Sequence, residues 1–421
     1  MTSSMNFSLA YYSSDRKTGN IILLNRNNGA IESVEIDVLE KTDSDTNLKP
    51  IFVGISAGDT LEDRKIILLD PKTKNILFES AYPEDAFAAH LYEDPYSNRS
   101  WFMNDGDKAT GNDVLNCGEQ GSSVTVVENA SSKDAKHLKT VCVGRGHHQA
   151  AFSFPSEQHP NTPKQAYISN LKDGTVSVID NDPESERFLH LIATIDLCEP
   201  EKEDSAGKDG VPTVPNKAFP HGLVFSGVSG KLYNLNNGYG TVAIINPSTF
   251  EIEDRIAFKG HSNLFIPASG RYVIGRGADR KTDEAHVIAK LSVIDVETHQ
   301  IKDMVDIPDV YISKYFFNPE GTRLYLTTSS SGNDKQKQNL KTDALLVFDI
   351  TVLPEIKLIN EVRLGSSTGT LDFTVDNGKS QLMFSSNAAE GAVIICNPET
   401  GEMIEKIEIA APNAHSRLWC I

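Results

Sequence analysis

Five histidines occupy equivalent places in a repeated pattern, and they are the residues of this 421-residue chain best suited to chemistry. Each stands at, or within one residue of, the start of a short apolar segment, as in HGLVFS, HSNLFI and HSRLWC. The five are His90, His148, His221, His261 and His415. Neutral imidazoles that converge from rigid strands bind copper, iron or zinc, and such a metal keeps an open position for substrate. The pattern therefore predicts a transition-metal site, with copper or iron favoured over zinc.

A purely structural role is the alternative for each of these residues. A histidine at the start of a strand also hydrogen-bonds a neighbouring repeat without binding any metal. Two other repeats have Ile312 and Gly369 at the equivalent position, so the repeat itself does not require histidine. Five of the remaining histidines fall in loops or outer strands and are predicted to be surface residues: His137, His159, His190, His286 and His299. His147 directly precedes His148 and is expected near the metal site.

The repeat that positions these histidines is a unit of four short strands. Residues 221–260 align with residues 261–309: an apolar run reaches Ser-Gly, a second strand follows, a third ends in a polar turn, and a fourth alternates. Consecutive apolar residues indicate a strand buried on both faces, whereas alternation indicates one wet face. Short, evenly spaced strands ordered in this way predict an all-β propeller of four-stranded blades.

The two ends of the chain carry complementary parts of one repeat. The C-terminal HSRLWCI matches only a first strand, whereas FSLAYYS, NIILLNR and AIESVEI near the N-terminus match strands two to four. We therefore predict a single domain over residues 1–421, in which the last strand pairs with the first strands and removes exposed sheet edges. The segment EKTDSDTNL is a poor inner strand for the second unit. We expect about eight blades, with seven as the alternative.

Residues 220–226, 230–233 and 240–246 read PHGLVFS, GKLY and GTVAIIN, and DGTVSVIDND echoes the last of these. This pattern resembles the YVTN-type propeller repeat, which is akin to cytochrome d1-like domains. The resemblance implies a propeller and no single function, because the fold hosts electron-transfer proteins, lactonases, oxidases and binding platforms. The sequence has no C-x-x-C-H motif for haem attachment.

Long insertions are expected to crowd the face of the disc on which the inner strands begin, because the loop between the second and third strands returns to that face. They cover residues 105–121, 277–287 and 329–342. The connection 198–219 reaches the same face and, being rich in Gly, Pro and charge, is interpreted as a mobile lid or disordered loop.

Three weaker candidates lie in or beside these insertions. Arg276 and Arg280 are placed to bind an anionic substrate. Cys117 could contribute a thiolate ligand. A calcium-loop composition without the EF-hand spacing occurs at Asp105, Asp107 and Asp113.

The acidic composition of the chain indicates which classes of binding partner are disfavoured. With 58 acidic and 40 basic residues, the formal net charge is −18, which repels phosphate backbones and anionic lipid, so we expect neither nucleic acid nor a membrane as a partner. Five cysteines without a C-x-x-C pair predict reduced thiols in a cytoplasm rather than a disulfide framework. The N-terminus lacks a signal-peptide pattern, and no apolar run is long enough to span a membrane.

Three functions remain open from the sequence. The leading hypothesis is a copper- or iron-dependent oxidoreductase of a small substrate, with the histidine cluster at one mouth of the central channel. The second is a lactonase-type hydrolase, in which a metal or a histidine–acid pair activates water. The third is a non-catalytic platform for a partner protein.

Overall fold

The structure is a computed structural model that describes most of the chain, and the first half in separate segments. The described residues are 6–14, 19–27, 30–37, 51–56, 64–69, 76–81, 88–104, 117, 122–129, 134, 136–365, 368–387, 390–409 and 415–420. They form eight antiparallel sheets, seven with four strands and one with three, which we number as blades 1 to 8 in chain order.

The first four blades contain strands β1 to β14. Blade 1 consists of β1 (Phe7–Ser14), β2 (Gly19–Asn27), β3 (Ala30–Asp37) and the last strand of the chain, β31 (His415–Cys420). Blade 2 consists of β4 (Ile51–Ser56), β5 (Arg64–Leu69) and β6 (Ile76–Ala81). Blade 3 consists of β7 (Ala88–Glu93), β8 (Arg99–Asn104), β9 (Ser123–Glu128) and β10 (Lys136–Cys142). Blade 4 consists of β11 (His147–Ser153), β12 (Gln165–Asn170), β13 (Thr175–Asp180) and β14 (Leu191–Asp196).

The last four blades contain strands β15 to β30. Blade 5 consists of β15 (Pro220–Ser226), β16 (Lys231–Asn236), β17 (Thr241–Ile245) and β18 (Ile252–Ala257). Blade 6 consists of β19 (Asn263–Phe265), β20 (Tyr272–Asp279), β21 (Ile288–Asp295) and β22 (Gln300–Pro308). Blade 7 consists of β23 (Ile312–Phe317), β24 (Arg323–Thr328), β25 (Ala344–Asp349) and β26 (Lys357–Arg363). Blade 8 consists of β27 (Thr368–Asp376), β28 (Lys379–Asn387), β29 (Ala392–Cys396) and β30 (Met403–Glu408).

The predicted pairing of the chain ends is confirmed. Strand β31 pairs antiparallel with β1, from Leu9 opposite Cys420 to Ser14 opposite His415. The weak inner strand predicted at EKTDSDTNL lies outside the described residues, and the three described strands of blade 2 match the predicted second to fourth strands of that unit. The fold is therefore a β-propeller whose first and last strands share one blade.

The hydrophobic core lies between neighbouring blades. The third strand β17 is buried at every position, whereas the outer strand β22 alternates between exposed and covered residues, as its sequence predicted. One apolar cluster joins Phe265 of blade 6 to Leu326 of blade 7, and another joins Tyr167 of blade 4 to Phe225 of blade 5. Each fully buried Leu, Ile, Val or Phe contributes about 1.5–3 kcal/mol, so these contacts hold adjacent blades face to face.

A β-bulge follows the first residue of several inner strands. The register shifts after Ala88, His147, Pro220, Ile312 and Thr368. A bulge leaves one residue without a cross-strand partner and re-aims its side chain. The sequence repeat alone did not predict this feature, which sets the direction of the side chains near the channel mouth.

The structure corrects the interpretation of the cysteines. Cys117 and Cys142 form a disulfide, with their Cα atoms 5.5 Å apart. The expectation of reduced thiols throughout is therefore wrong, and Cys117 is not a thiolate ligand. Cys198, Cys396 and Cys420 are free. A cytoplasmic location stays a prediction, and it loses the support that reduced cysteines gave it.

The connection 198–219 is not the mobile lid that its composition indicated. It begins with a short 3-10 turn at Pro200–Lys202. Its Glu199 is buried and accepts a hydrogen bond of 2.5 Å from Thr241, while Glu203 is buried and accepts one from the hydroxyl of Tyr239. These buried carboxylates tie the connection to blade 5, because an unpaired buried charge would be costly.

Two of the other insertions pack against each other. Helix α1 (Asp334–Lys337) lies in the insertion of blade 7 and is capped by Asn333. Its buried Gln336 donates hydrogen bonds to the carbonyl oxygens of Arg280 and Asp283 in the insertion of blade 6. Insertions 277–287 and 329–342 therefore share one face, as predicted. Most of insertion 105–121, with Asp105, Asp107 and Asp113, lies outside the described residues.

None of the helices that the structure describes has the length and apolar character needed to cross a membrane.

Candidate functional site

His261 takes the structural role that was the alternative to metal binding. Its Nδ1 lies 3.1 Å from the carbonyl oxygen of Lys259, and its Nε2 lies 2.9 Å from the hydroxyl of Ser292. The ring stacks on Phe258, with the ring centroids 3.8 Å apart. Burial lowers the pKa of His261 to about 4. Because both ring nitrogens already have partners, a metal at this residue would have to displace one of them.

The other four histidines lie at the starts of inner strands, as predicted. His90, His148 and His415 belong to β7, β11 and β31, and their side chains are outside the described part of the structure. His221 is half-buried and is the bulged residue of β15, between Pro220 opposite Asn236 and Gly222 opposite Leu235. The described side chains contain no group of three His, Cys, Asp or Glu residues arranged for a metal. The metal site therefore stays a prediction.

Arg276 stands at a repeat position where three other blades have asparagine. Counted from the Ser-Gly turn, it takes the place that Asn236 has in blade 5. The residues that end the second strands of blades 4 and 8 are likewise the asparagines Asn170 and Asn387, and all three asparagines are fully buried. A blade therefore folds with an asparagine side chain at this position, and the repeat does not require an arginine there.

The guanidinium of Arg276 is covered by protein and has no acidic partner among the described residues. It donates one hydrogen bond of 3.1 Å to the carbonyl oxygen of Ile312, while its Nε is buried without a hydrogen-bond partner. The Tyr315 ring lies under it, 5.8 Å from ring centroid to guanidinium carbon. Burial lowers the pKa of Arg276, against the opposing effect of Tyr315 and Tyr311. Arginine nevertheless stays charged in proteins, so the site holds a partly desolvated cation.

Two tyrosines place this cation beside the central channel. Tyr315 belongs to the inner strand β23, and its ring stacks on Phe265 of the inner strand β19 with centroids 4.2 Å apart. Burial raises the pKa of Tyr92 on β7, and the nearby phenol of Tyr315 raises it further. Blades 3 and 7 are not neighbours, so their inner strands meet only across the channel. Both phenols stay protonated and are hydrogen-bond donors.

A second arginine stands above this cluster at the rim. The Arg280 guanidinium lies 5.3 Å from the ring centroid of Tyr311 and donates a hydrogen bond of 3.2 Å to Ser331. The side chain is exposed. Arg276 and Arg280 therefore both contact residues at the start of β23, Arg276 through Ile312 and Tyr315 and Arg280 through Tyr311 just before the strand.

A histidine–carboxylate pair borders the same rim. Nδ1 of His286 lies 2.7 Å from Oδ1 of Asp309, and this contact raises the pKa of His286. The sequence interpretation treated His286 as a surface residue and did not consider Asp309. A signal was available, since β21 pairs with β22 through Ile288 opposite Pro308, and this register brings the residues just beyond the strands together.

Comparison with known proteins gives the fold and no more. No protein-family model matches the chain, and no curated protein matches it in sequence, so the YVTN-type resemblance stays a prediction. The solved structure of AztD from Citrobacter koseri has a TM-score of 0.56 at 12% identity, over 98% of each chain. The periplasmic gluconolactonase PpgL of Pseudomonas aeruginosa has a TM-score of 0.54 at 11% identity, over 98% of this chain and 99% of that chain. A putative 6-phosphogluconolactonase from Bacteroides fragilis has a TM-score of 0.51 at 11% identity, over 100% of this chain and 99% of that chain. Structures this distant in sequence establish that the chain is similar to β-propellers, two of which carry lactonase names.

Proposed function

We propose that the protein is a lactonase-type hydrolase of a phosphorylated sugar lactone, with Arg276 binding the phosphate. The observation that carries the proposal is the Arg276 guanidinium, which is desolvated beside the channel with no carboxylate partner in the described structure. A buried charge without a partner is costly. We infer that a charge retained where three other blades have asparagine is paired by an anionic ligand.

The groups around Arg276 suit a phosphate. Guanidinium groups bind phosphate through pairs of parallel N–H···O bonds, which are stronger than neutral hydrogen bonds. The Arg276 guanidinium has donors beyond the one that Ile312 accepts. The protonated phenols of Tyr92 and Tyr315 add donors, and the exposed Arg280 adds charge at the rim where an anion would enter.

The lactone class comes from the structural neighbours. One of them is named a gluconolactonase and another a putative 6-phosphogluconolactonase. The cation in this chain favours the phosphorylated form of such a substrate. The copper- or iron-dependent oxidoreductase has less support, because His261 is engaged on both ring nitrogens.

The test compares 6-phosphoglucono-δ-lactone with glucono-δ-lactone, each corrected for its spontaneous ring opening. We expect enzymatic hydrolysis with a lower KM for the phosphorylated lactone. Arg276→Gln should raise that KM by about 10-fold or more, because a hydrogen bond to a charged group contributes about 1.5–3 kcal/mol. The KM for the unphosphorylated lactone should stay within about twofold, since that substrate has no charge to lose a partner.

Arg271→Gln is the matched control. Arg271 lies just before the same strand, and its guanidinium is 3.1 Å from Asp295 and 2.7 Å from Glu297, so its charge is already paired. This variant should leave both KM values unchanged. Wild-type protein that hydrolyses neither lactone, or Arg276→Gln protein with an unchanged preference for the phosphorylated one, would contradict the proposal.

A further inference from the structure

We infer that His286, oriented by Asp309, is the general base that activates water for attack on the lactone carbonyl, an inference that rests on the proposed function. A general base needs one ring nitrogen held by an acceptor and the other directed to the reaction. His286 meets the first condition through the 2.7 Å contact between its Nδ1 and Oδ1 of Asp309. For its Nε2, the described residues supply no hydrogen-bond partner.

The backbone around His286 is fixed rather than free. Its N–H donates to Oδ1 of Asp283 at 3.1 Å, and its carbonyl oxygen accepts from Nε2 of Gln336 at 3.4 Å. Gln336 is buried and makes two further bonds to the same insertion. A side chain on a loop held in this way has the restricted geometry that acid–base chemistry requires.

Asp309 is fixed from both sides as well. Its N–H donates to the carbonyl oxygen of Val287 at 2.8 Å, and its own carbonyl oxygen accepts from the N–H of Lys341 at 2.9 Å. Its φ of 59° lies in the left-handed region, which residues other than glycine seldom adopt. Such a conformation persists where the surroundings determine it, and it clusters at functional sites.

The pair lies within reach of the proposed phosphate site. Asp309 precedes Ile312, whose carbonyl oxygen accepts from Arg276, by three residues. Three residues span at most about 10–11 Å. Between them stands Tyr311, whose ring lies under Arg280. For His286 to act as the base, a sugar phosphate bound at Arg276 must direct its lactone ring toward this part of the rim.

The balanced step needs only water and the lactone. Nε2 of neutral His286 takes a proton from water as the hydroxide oxygen bonds to the carbonyl carbon. The tetrahedral intermediate then breaks the ring C–O bond, and the imidazolium returns its proton to the departing alkoxide. The product is the open-chain hydroxy acid, so lactone and water are fully accounted for.

The charged groups that face His286 define its pH behaviour. They are Asp309 and Asp283, while the nearby Glu284 carboxylate pairs with Lys335 at 3.0 Å. Asp309 and Asp283 raise the pKa of His286. The base is active when neutral, so kcat/KM should rise with pH through this raised pKa.

The experiment measures hydrolysis of 6-phosphoglucono-δ-lactone by His286→Gln, with His190→Gln as the control. His190 is exposed and bonds only the carbonyl oxygen of Phe188 through its Nδ1. We expect His286→Gln to lower kcat by about 10²-fold or more with KM nearly unchanged. Asp309→Asn should move the midpoint of the kcat/KM profile to lower pH, a change that a merely structural role would not produce.

The outcomes separate the two claims. Wild-type protein without hydrolysis overturns the proposed function and this inference with it. Hydrolysis that depends on Arg276 but is retained by His286→Gln overturns this inference alone. Loss of kcat in His286→Gln, with an intact wild-type melting temperature and an unaffected His190→Gln variant, supports both.

Discussion

Replacing Arg276 with methionine separates a binding role from a structural one. Methionine has similar reach and no charge, so it removes the cation and the hydrogen bond to the Ile312 carbonyl while filling much of the same space. The lost bond costs about 1.5–3 kcal/mol, since the donor is charged. Against this, the variant no longer holds a partly buried charge without a charged partner, and replacing buried charged groups by apolar ones is neutral or stabilising by about 1–4 kcal/mol in other proteins.

The two effects nearly cancel, so the ligand-free variant should keep its stability. We expect the free energy of unfolding to change by less than about 1 kcal/mol, which moves Tm by about 1 °C in a chain of this length. Ligand binding should change much more. A ligand at 100 times its Kd stabilises the folded state by about 2.7 kcal/mol. If Kd rises 10- to 100-fold, the same concentration stabilises the variant by only about 0.4–1.4 kcal/mol.

The assay is thermal unfolding of both proteins with and without 6-phosphogluconate, with gluconate as the uncharged-tail control. The wild-type protein should show the larger Tm increase with 6-phosphogluconate, and the variant should lose most of it. A variant that is destabilised by 3 kcal/mol or more without ligand, and that keeps the full Tm increase, would show that Arg276 is structural and does not bind the phosphate.

Three further predictions concern other parts of the chain. Burial lowers the pKa of His261 to about 4, from a usual value near 6.5, so the unfolded state binds more protons than the folded state between these pH values. The free energy of unfolding should therefore be unaffected by this residue above pH 6.5 and should fall by up to about 3 kcal/mol as the pH drops to 4. The contribution of this residue should disappear in His261→Gln, and a pH profile of unfolding that is the same in both proteins would contradict it. Denatured protein that has not been reduced should show three titratable thiols, because Cys117 and Cys142 form a disulfide, and five thiols would refute that disulfide. Cys142→Ser should lower the free energy of unfolding by about 2–4 kcal/mol. Metal analysis of untagged protein tests the predicted histidine site, and copper or iron lost in His221→Ala would restore the oxidoreductase hypothesis.

The fold could be predicted from the sequence because a propeller is built from repeats of one four-stranded blade. Each blade shows the same order of apolar, turn and alternating segments, so errors in one unit are corrected by the others. The complementary fragments at the two ends predicted the pairing of β31 with β1.

The site was only partly predictable, since it depends on contacts between blades. The sequence predicted that Arg276 and Arg280 lie at one face. It did not predict that no described carboxylate pairs with Arg276, because that depends on how β23 packs. The predicted histidines do lie at or near the starts of inner strands. The ring of His261, however, hydrogen-bonds Lys259 just before it and Ser292 of the same blade rather than a metal. Composition misjudged residues 198–219, because Gly, Pro and charge also suit a loop anchored by buried Glu199 and Glu203.

The most direct test of the central claim is a crystal structure of the wild-type protein with 6-phosphogluconate bound. We predict that the phosphate lies within hydrogen-bonding distance of the Arg276 guanidinium, with the hydroxyl of Tyr315 or Tyr92 also donating to it. A phosphate bound elsewhere, with the guanidinium still donating only to the carbonyl oxygen of Ile312, would contradict it.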